Sequence, residues 1–118
     1  MNLIKELMLM EAGLKTEEQL SARLSKSLDN HVIFRDQAVG MIVTKGDQIE
    51  LRLWVDDIGN IFDAVGDKAI SAVKDMFTSS NPSGTELRLT ASKEEVLKVL
   101  MTLQSTLKLP VSIGDHTT

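Results

Sequence analysis

The chain has 118 residues, 42% of them hydrophobic and 25% charged, with no cysteine and a formal net charge of −4. That size and composition fit one globular domain burying roughly two thirds of its unfolded surface. The lack of cysteine excludes disulfides, thiolate metal sites and thiol nucleophiles, and the scattered, outnumbered Lys and Arg residues argue against a phosphate-neutralising stripe for nucleic acid.

The opening Met1 to Met10 is apolar but short. Glu6 lies inside the run and no basic leader precedes it, so a signal peptide is not expected. No stretch approaches the roughly 20 apolar residues of a membrane span, and the expected location is the cytoplasm. Leu3, Ile4, Leu7 and Met8 recur on one helical face, Leu9 and Met10 widen the apolar arc beyond that stripe, and Gly13 stops the helix. A second helix begins at Thr16, whose hydroxyl and the Gln19 amide form a capping box, with Glu17 and Glu18 in the first turn. Leu20, Leu24 and Leu28 are its buried stripe.

The period then changes to two. His31–Arg35 reads as a strand with Val32 and Phe34 on one face, followed by a turn at Asp36-Gln37. Residues 38–44 read as a second strand with Val39, Met41 and Val43 inward. After a turn at Lys45-Gly46-Asp47, residues 48–55 form the clearest strand, with Ile49, Leu51, Leu53 and Val55 on one face and Gln48, Glu50, Arg52 and Trp54 on the other. Asp56 to Asn60 reads as a turn, residues 60–77 as a long helix, and 78–84 as a Ser-rich loop. Glu86–Thr90 makes a short fourth strand. Ser92 and Glu95 predict a second capping box, opening a helix that buries Val96, Val99, Leu100, Leu103 and Leu107 and ends before Pro110. Val111-Ser112-Ile113 can add an edge strand, and residues 114–118 read as a flexible tail.

The predicted order is α-α-β-β-β-α-β-α in a single domain spanning 1–118. Short connections make the strands antiparallel. The expected fold class is therefore an α+β two-layer sandwich, a sheet of about four strands with helices on one face.

Chemistry-bearing patterns are sparse. Glu50, Asp56, Asp57 and Asp63 gather acidic groups near the start of the long helix, but their spacing lacks the alternate oxygen ligands of a calcium loop, and Asp57 and Asn60 read as turn former and helix cap. His31 and His116 are far apart, and no Gly-x-Ser-x-Gly or glycine-rich phosphate loop occurs. No catalytic residue, metal ligand or cofactor is assigned.

The remaining signals are apolar. Trp54, the single Trp, falls opposite the apolar face of its strand. With the helices on that apolar face, Trp54 shares an open face with Glu50, Arg52, Arg35, Ile33 and Ile42. Trp and Arg are enriched at interface hot spots. The other reading is an aromatic cross-strand partner packed over Arg52. Residues 1–13 are the second interaction candidate, through Leu3, Leu7 and Met10, either against a partner subunit or within the chain.

The opening Leu3-Ile4-Lys5-Glu6-Leu7-Met8-Leu9-Met10-Glu11 resembles the starts of small tailed-phage proteins, and within it Ile4-Lys5-Glu6 and Leu9-Met10-Glu11 are similar to sites cut by phage head-maturation proteases. The resemblance covers about a tenth of the chain and implies a location in the host cytoplasm or the virion. The order of elements is similar to that of dimeric secretion chaperones, from which the chain departs by two opening helices and one clear strand after the long helix. The expectation is a non-enzymatic interaction or structural accessory protein, acting as a homodimer without nucleic-acid or membrane partners. The alternative is a small-molecule or nucleotide-binding regulatory module with a pocket near Asp56 to Asp63.

Overall fold

The structure, a computed structural model, describes residues 13–26 and 29–114. The predicted opening helix and the tail beyond 114 lie outside the described residues, as do Leu3, Leu7, Met10, Leu28 and His116.

The first described helix, α1, is Glu17–Lys26. Its predicted capping box forms reciprocally: the Gln19 amide donates to Thr16 Oγ1 at 3.3 Å, and the Thr16 amide donates to Gln19 Oε1 at 2.9 Å. Leu20 and Leu24 are buried. Three strands follow, β1 (Asp29–Phe34), β2 (Gln37–Lys45) and β3 (Gln48–Trp54), paired as an antiparallel meander.

The first hairpin turns at Arg35-Asp36 rather than Asp36-Gln37. Both residues take positive φ, 52° and 62°, as a two-residue type I′ loop requires. Just beyond it β2 carries a bulge. Ile33 pairs with Ala38 and Val32 with Gly40, leaving Val39 without an opposite number. The extra residue shifts the alternation, so Val39 and Ile42 are both buried while Met41 and Val43 move to the other face. Ile42, expected on the open face, is thus a core residue, 1% exposed, opposite Leu51. At Gly40 the neighbouring strand leaves no room for a side chain: a Cβ there would run into the Arg52 carbonyl.

The long helix also differs from its prediction. It begins at Val55, the residue expected to finish β3, and α2 runs Val55–Val73 with a break at Asp63. The Val55 amide donates to the Thr85 carbonyl at 2.9 Å, and Asp56 and Asp57 occupy the first turn, where acidic groups favour a helix. At Asp63 the backbone turns to φ 52°, ψ −128°. The two halves fold onto each other, and a Cβ on Gly66 would lie 2.5 Å from the Ile58 carbonyl oxygen. Glycine at 66 permits that approach. A 3-10 turn, Lys74–Met76, ends the segment.

The Ser-rich stretch contributes a two-residue strand, β4 (Ser79–Ser80), beside β5 (Glu86–Ala91). Helix α3 is Lys93–Leu107. Ser92 stands at its N-cap, but its side chain makes no cap hydrogen bond, so the second predicted capping box does not form. The helix ends in a left-handed Lys108, φ 57°, ahead of Pro110. The edge strand β6, Ser112–Gly114, pairs with β1.

The sheet therefore has six strands rather than four, all antiparallel, in the order β4-β5-β3-β2-β1-β6. The α+β class holds, and the described helices lie on one face of the sheet. Leu20, Leu24, Ile58, Phe62, Ala69, Val73, Val96, Leu100 and Leu103 share one core with Val32, Phe34, Ile42, Leu51, Leu53 and Leu89 of the sheet. No described helix is long and apolar enough to cross a membrane.

Candidate functional site

Strand alternation directs a second set of side chains away from the helices. The registers place Thr90, Glu50 and Val43 in one row across this face, Arg88, Arg52, Met41 and His31 in the next, and Glu86 beside Trp54 in a third. Among the described residues no helix covers them.

The face divides into two halves. On β3 and β5 it is ionic. Arg52 lies directly opposite Arg88, a repulsive pairing. Each arginine is held by a glutamate two residues back on its own strand: Arg52 Nε donates to Glu50 Oε1 at 2.8 Å, and Arg88 Nε to Glu86 Oε1 at 2.6 Å. Glu50 also accepts from Lys45 Nζ at 3.2 Å. Glu50 is only 8% exposed. Burial works against its charge, but the hydrogen bonds and charges of Arg52 and Lys45 outweigh it and hold its carboxyl below the usual carboxylate range.

On β1 and β2 the face is apolar and half-buried, built from Ile33, Met41 and Val43 with His31. Trp54 joins the halves. Its indole Nε1 donates to Glu86 Oε2 at 3.1 Å, and its ring meets His31 edge to face, 6.2 Å between centroids. Since His31 belongs to β1 and Trp54 to β3, the two rings meet across β2.

Trp54, Arg52, Glu50 and Ile33 thus share this face, with Ile33 four positions along β1 from the row of Glu50. Ile42 does not, because of the Val39 bulge. Arg35 does not either: it sits in the hairpin loop with its guanidinium carbon 5.5 Å from the Phe62 ring centroid, on the helix side. Sequence reading missed the partners of Trp54. Glu86 and Arg88 lie on a strand 32 residues beyond Trp54 at its nearest bond, and only the β3–β5 register reveals them.

The acidic cluster separates. Glu50 is engaged on the sheet, Asp56 and Asp57 open α2, and Asp63 is the exposed break. Among the described residues, no three His, Asp or Glu side chains gather closely enough to hold a metal ion. A cleft of about 210 Å3 lies between α1 and β6, lined by Lys15, Gln19, Leu20, Arg23 and Val111 to Ile113, away from the pocket expected near Asp56 to Asp63. It is smaller than the roughly 300–1,000 Å3 of common small-molecule sites.

Comparison with known proteins adds no assignment: no family model, curated protein or solved structure matches this chain.

Proposed function

We propose that this protein is a non-enzymatic interaction or structural accessory protein that takes an apolar segment of another polypeptide onto its open sheet face. The observation that carries this is the division of that face. Ile33, Met41, Val43 and the Trp54 ring offer apolar contact, while Glu50, Arg52, Glu86 and Arg88 form a polar margin whose charges are already paired. An apolar centre beside a satisfied polar rim is the anatomy of a protein interface. A fixed Trp at the border is the kind of anchor around which binding energy concentrates.

A second copy is one such partner, and the homodimer expected from the sequence is part of the proposal. Trp54→Ala is the test. It should lower the weight-average mass seen by light scattering across a dilution series, or abolish capture of a protein that the unmodified chain retains from its native host. Mass and capture both identical to the unmodified protein would sink the reading.

A further inference from the structure

We propose that the chain's own residues 1–12 dock on the apolar half of the open sheet face. This rests on the reading of that face as a docking surface and names its resident occupant.

The place where the described chain begins carries the argument. Gln104 of α3 is fully buried, and its carboxamide grips the backbone on both sides of Lys15: the Lys15 amide donates to Oε1 at 3.1 Å, and Nε2 donates to the Lys15 carbonyl at 2.6 Å. The same Oε1 accepts from the Val111 amide at 3.3 Å. Lys15 is therefore pinned beside Val111, the residue that precedes β6, at one particular edge of the sheet. Beyond that edge lie β1 and β2, the apolar half; the ionic half is at the far side, on β3 and β5.

Length fits as well. Adjacent strands are about 4.8 Å apart, so β6 to β2 is roughly 10 Å and β6 to β3 roughly 14 Å. Twelve residues in a helix extend about 18 Å. Gly13, at φ 75°, gives the chain a left-handed residue with which to reverse direction at the edge.

Chemistry fits too. The sequence period of Leu3, Ile4, Leu7 and Met8 is that of one apolar helical face, and the sheet surface offers Ile33, Met41, Val43 and the rings of His31 and Trp54. A tethered segment acts at an effective concentration in the millimolar range, which favours the chain's own face over that of a second copy.

Trp54, the single Trp, reports directly on the face. In the full chain, Leu3→Ser/Leu7→Ser should shift its emission to the red and raise its quenching by acrylamide, with far-ultraviolet dichroism unchanged and the light-scattering mass equal to the parent's. A synthetic peptide of residues 1–12 added to the full-length double variant should reverse both changes. Unchanged emission and quenching in the double variant would overturn the proposal while leaving the docking face to be judged by Trp54→Ala. Protection that disappears on dilution of the unmodified protein would also overturn it, in favour of a second copy on a face that still docks polypeptide.

Discussion

Two residues hold conformations or charges that their surroundings must sustain. Asp63, at φ 52° and ψ −128°, takes the backbone angles of the first central position of a type II′ turn, which glycine normally adopts. Strain of this kind amounts to about 1–3 kcal/mol, against roughly 0.5–1 kcal/mol for the extra freedom glycine gives the unfolded chain. Asp63→Gly should therefore raise stability by about 1 kcal/mol in urea denaturation, and Asp63→Ala should not, because it keeps the Cβ. A glycine variant no more stable than the parent would show that the break is unstrained. Glu50 is the second residue. Its carboxyl titrates below its ordinary value despite burial, because Arg52 and Lys45 hold it charged. In acid the unfolded chain therefore takes up this proton before the folded one does. The contribution is full above the ordinary carboxylate range and is lost as pH falls through that range towards the folded value. Glu50→Gln should lower stability at neutral pH by about 1 kcal/mol. The gap from the parent should close on acidification; a gap constant with pH would mean that the side chain acts by shape alone.

At the scale of elements, the phase of β2 decides which residues reach the core. Strict alternation sends Met41 and Val43 inward and Ile42 outward; the bulge at Val39 reverses this. Ile42→Ala should therefore cost about 2–5 kcal/mol as a core truncation, and Val43→Ala less than about 1 kcal/mol as a surface one. The opposite ranking in denaturant midpoints would restore the unbroken alternation. Elements with an uninterrupted period were legible in the chain: β3 by alternation, α1 by its Leu stripe and capping box, α3 by its apolar face. The errors fall where a local period is overridden by non-local geometry. The bulge has a sequence mark only in Gly40, whose need for a missing Cβ comes from the Arg52 carbonyl of another strand. The early start of α2 depends on Thr85, 30 positions later, taking the first free amide. Strand β4 has two residues and no period at all. For the same reason Trp54 and Arg52 could be placed on the open face from their own strand, whereas the Glu86–Arg88 margin required the β3–β5 pairing.

In the whole molecule, the start of the described chain and its last strand meet at one sheet edge, where the side chains of Gln104 and Arg23 tie them. Gln104 bonds the Lys15 amide and carbonyl and the Val111 amide while itself inaccessible to water. Arg23 of α1 adds two hydrogen bonds to the Ile113 carbonyl, 3.0 Å from Nε and 2.7 Å from Nη2, which occupies the outer edge of β6 and guards it against strand addition. Gln104→Leu keeps comparable bulk but leaves those three backbone groups unpaired, each at roughly 1–3 kcal/mol where they are buried. The loss falls on α1 and β6, because the meander β1–β2–β3 and the strand β5 are joined by their own ladders and do not depend on the edge. Native-state hydrogen exchange should then show faster exchange at Leu20, Leu24 and Ile113, with the amides linking β2 to β3 retaining protection close to the parent's relative to global unfolding. Uniform loss of protection across the sheet would instead make this edge an inseparable part of the cooperative core. Local loss would mean that the edge can open without the rest. If residues 1–12 dock as proposed, Gln104→Leu would then expose Trp54 to quencher with the meander still folded.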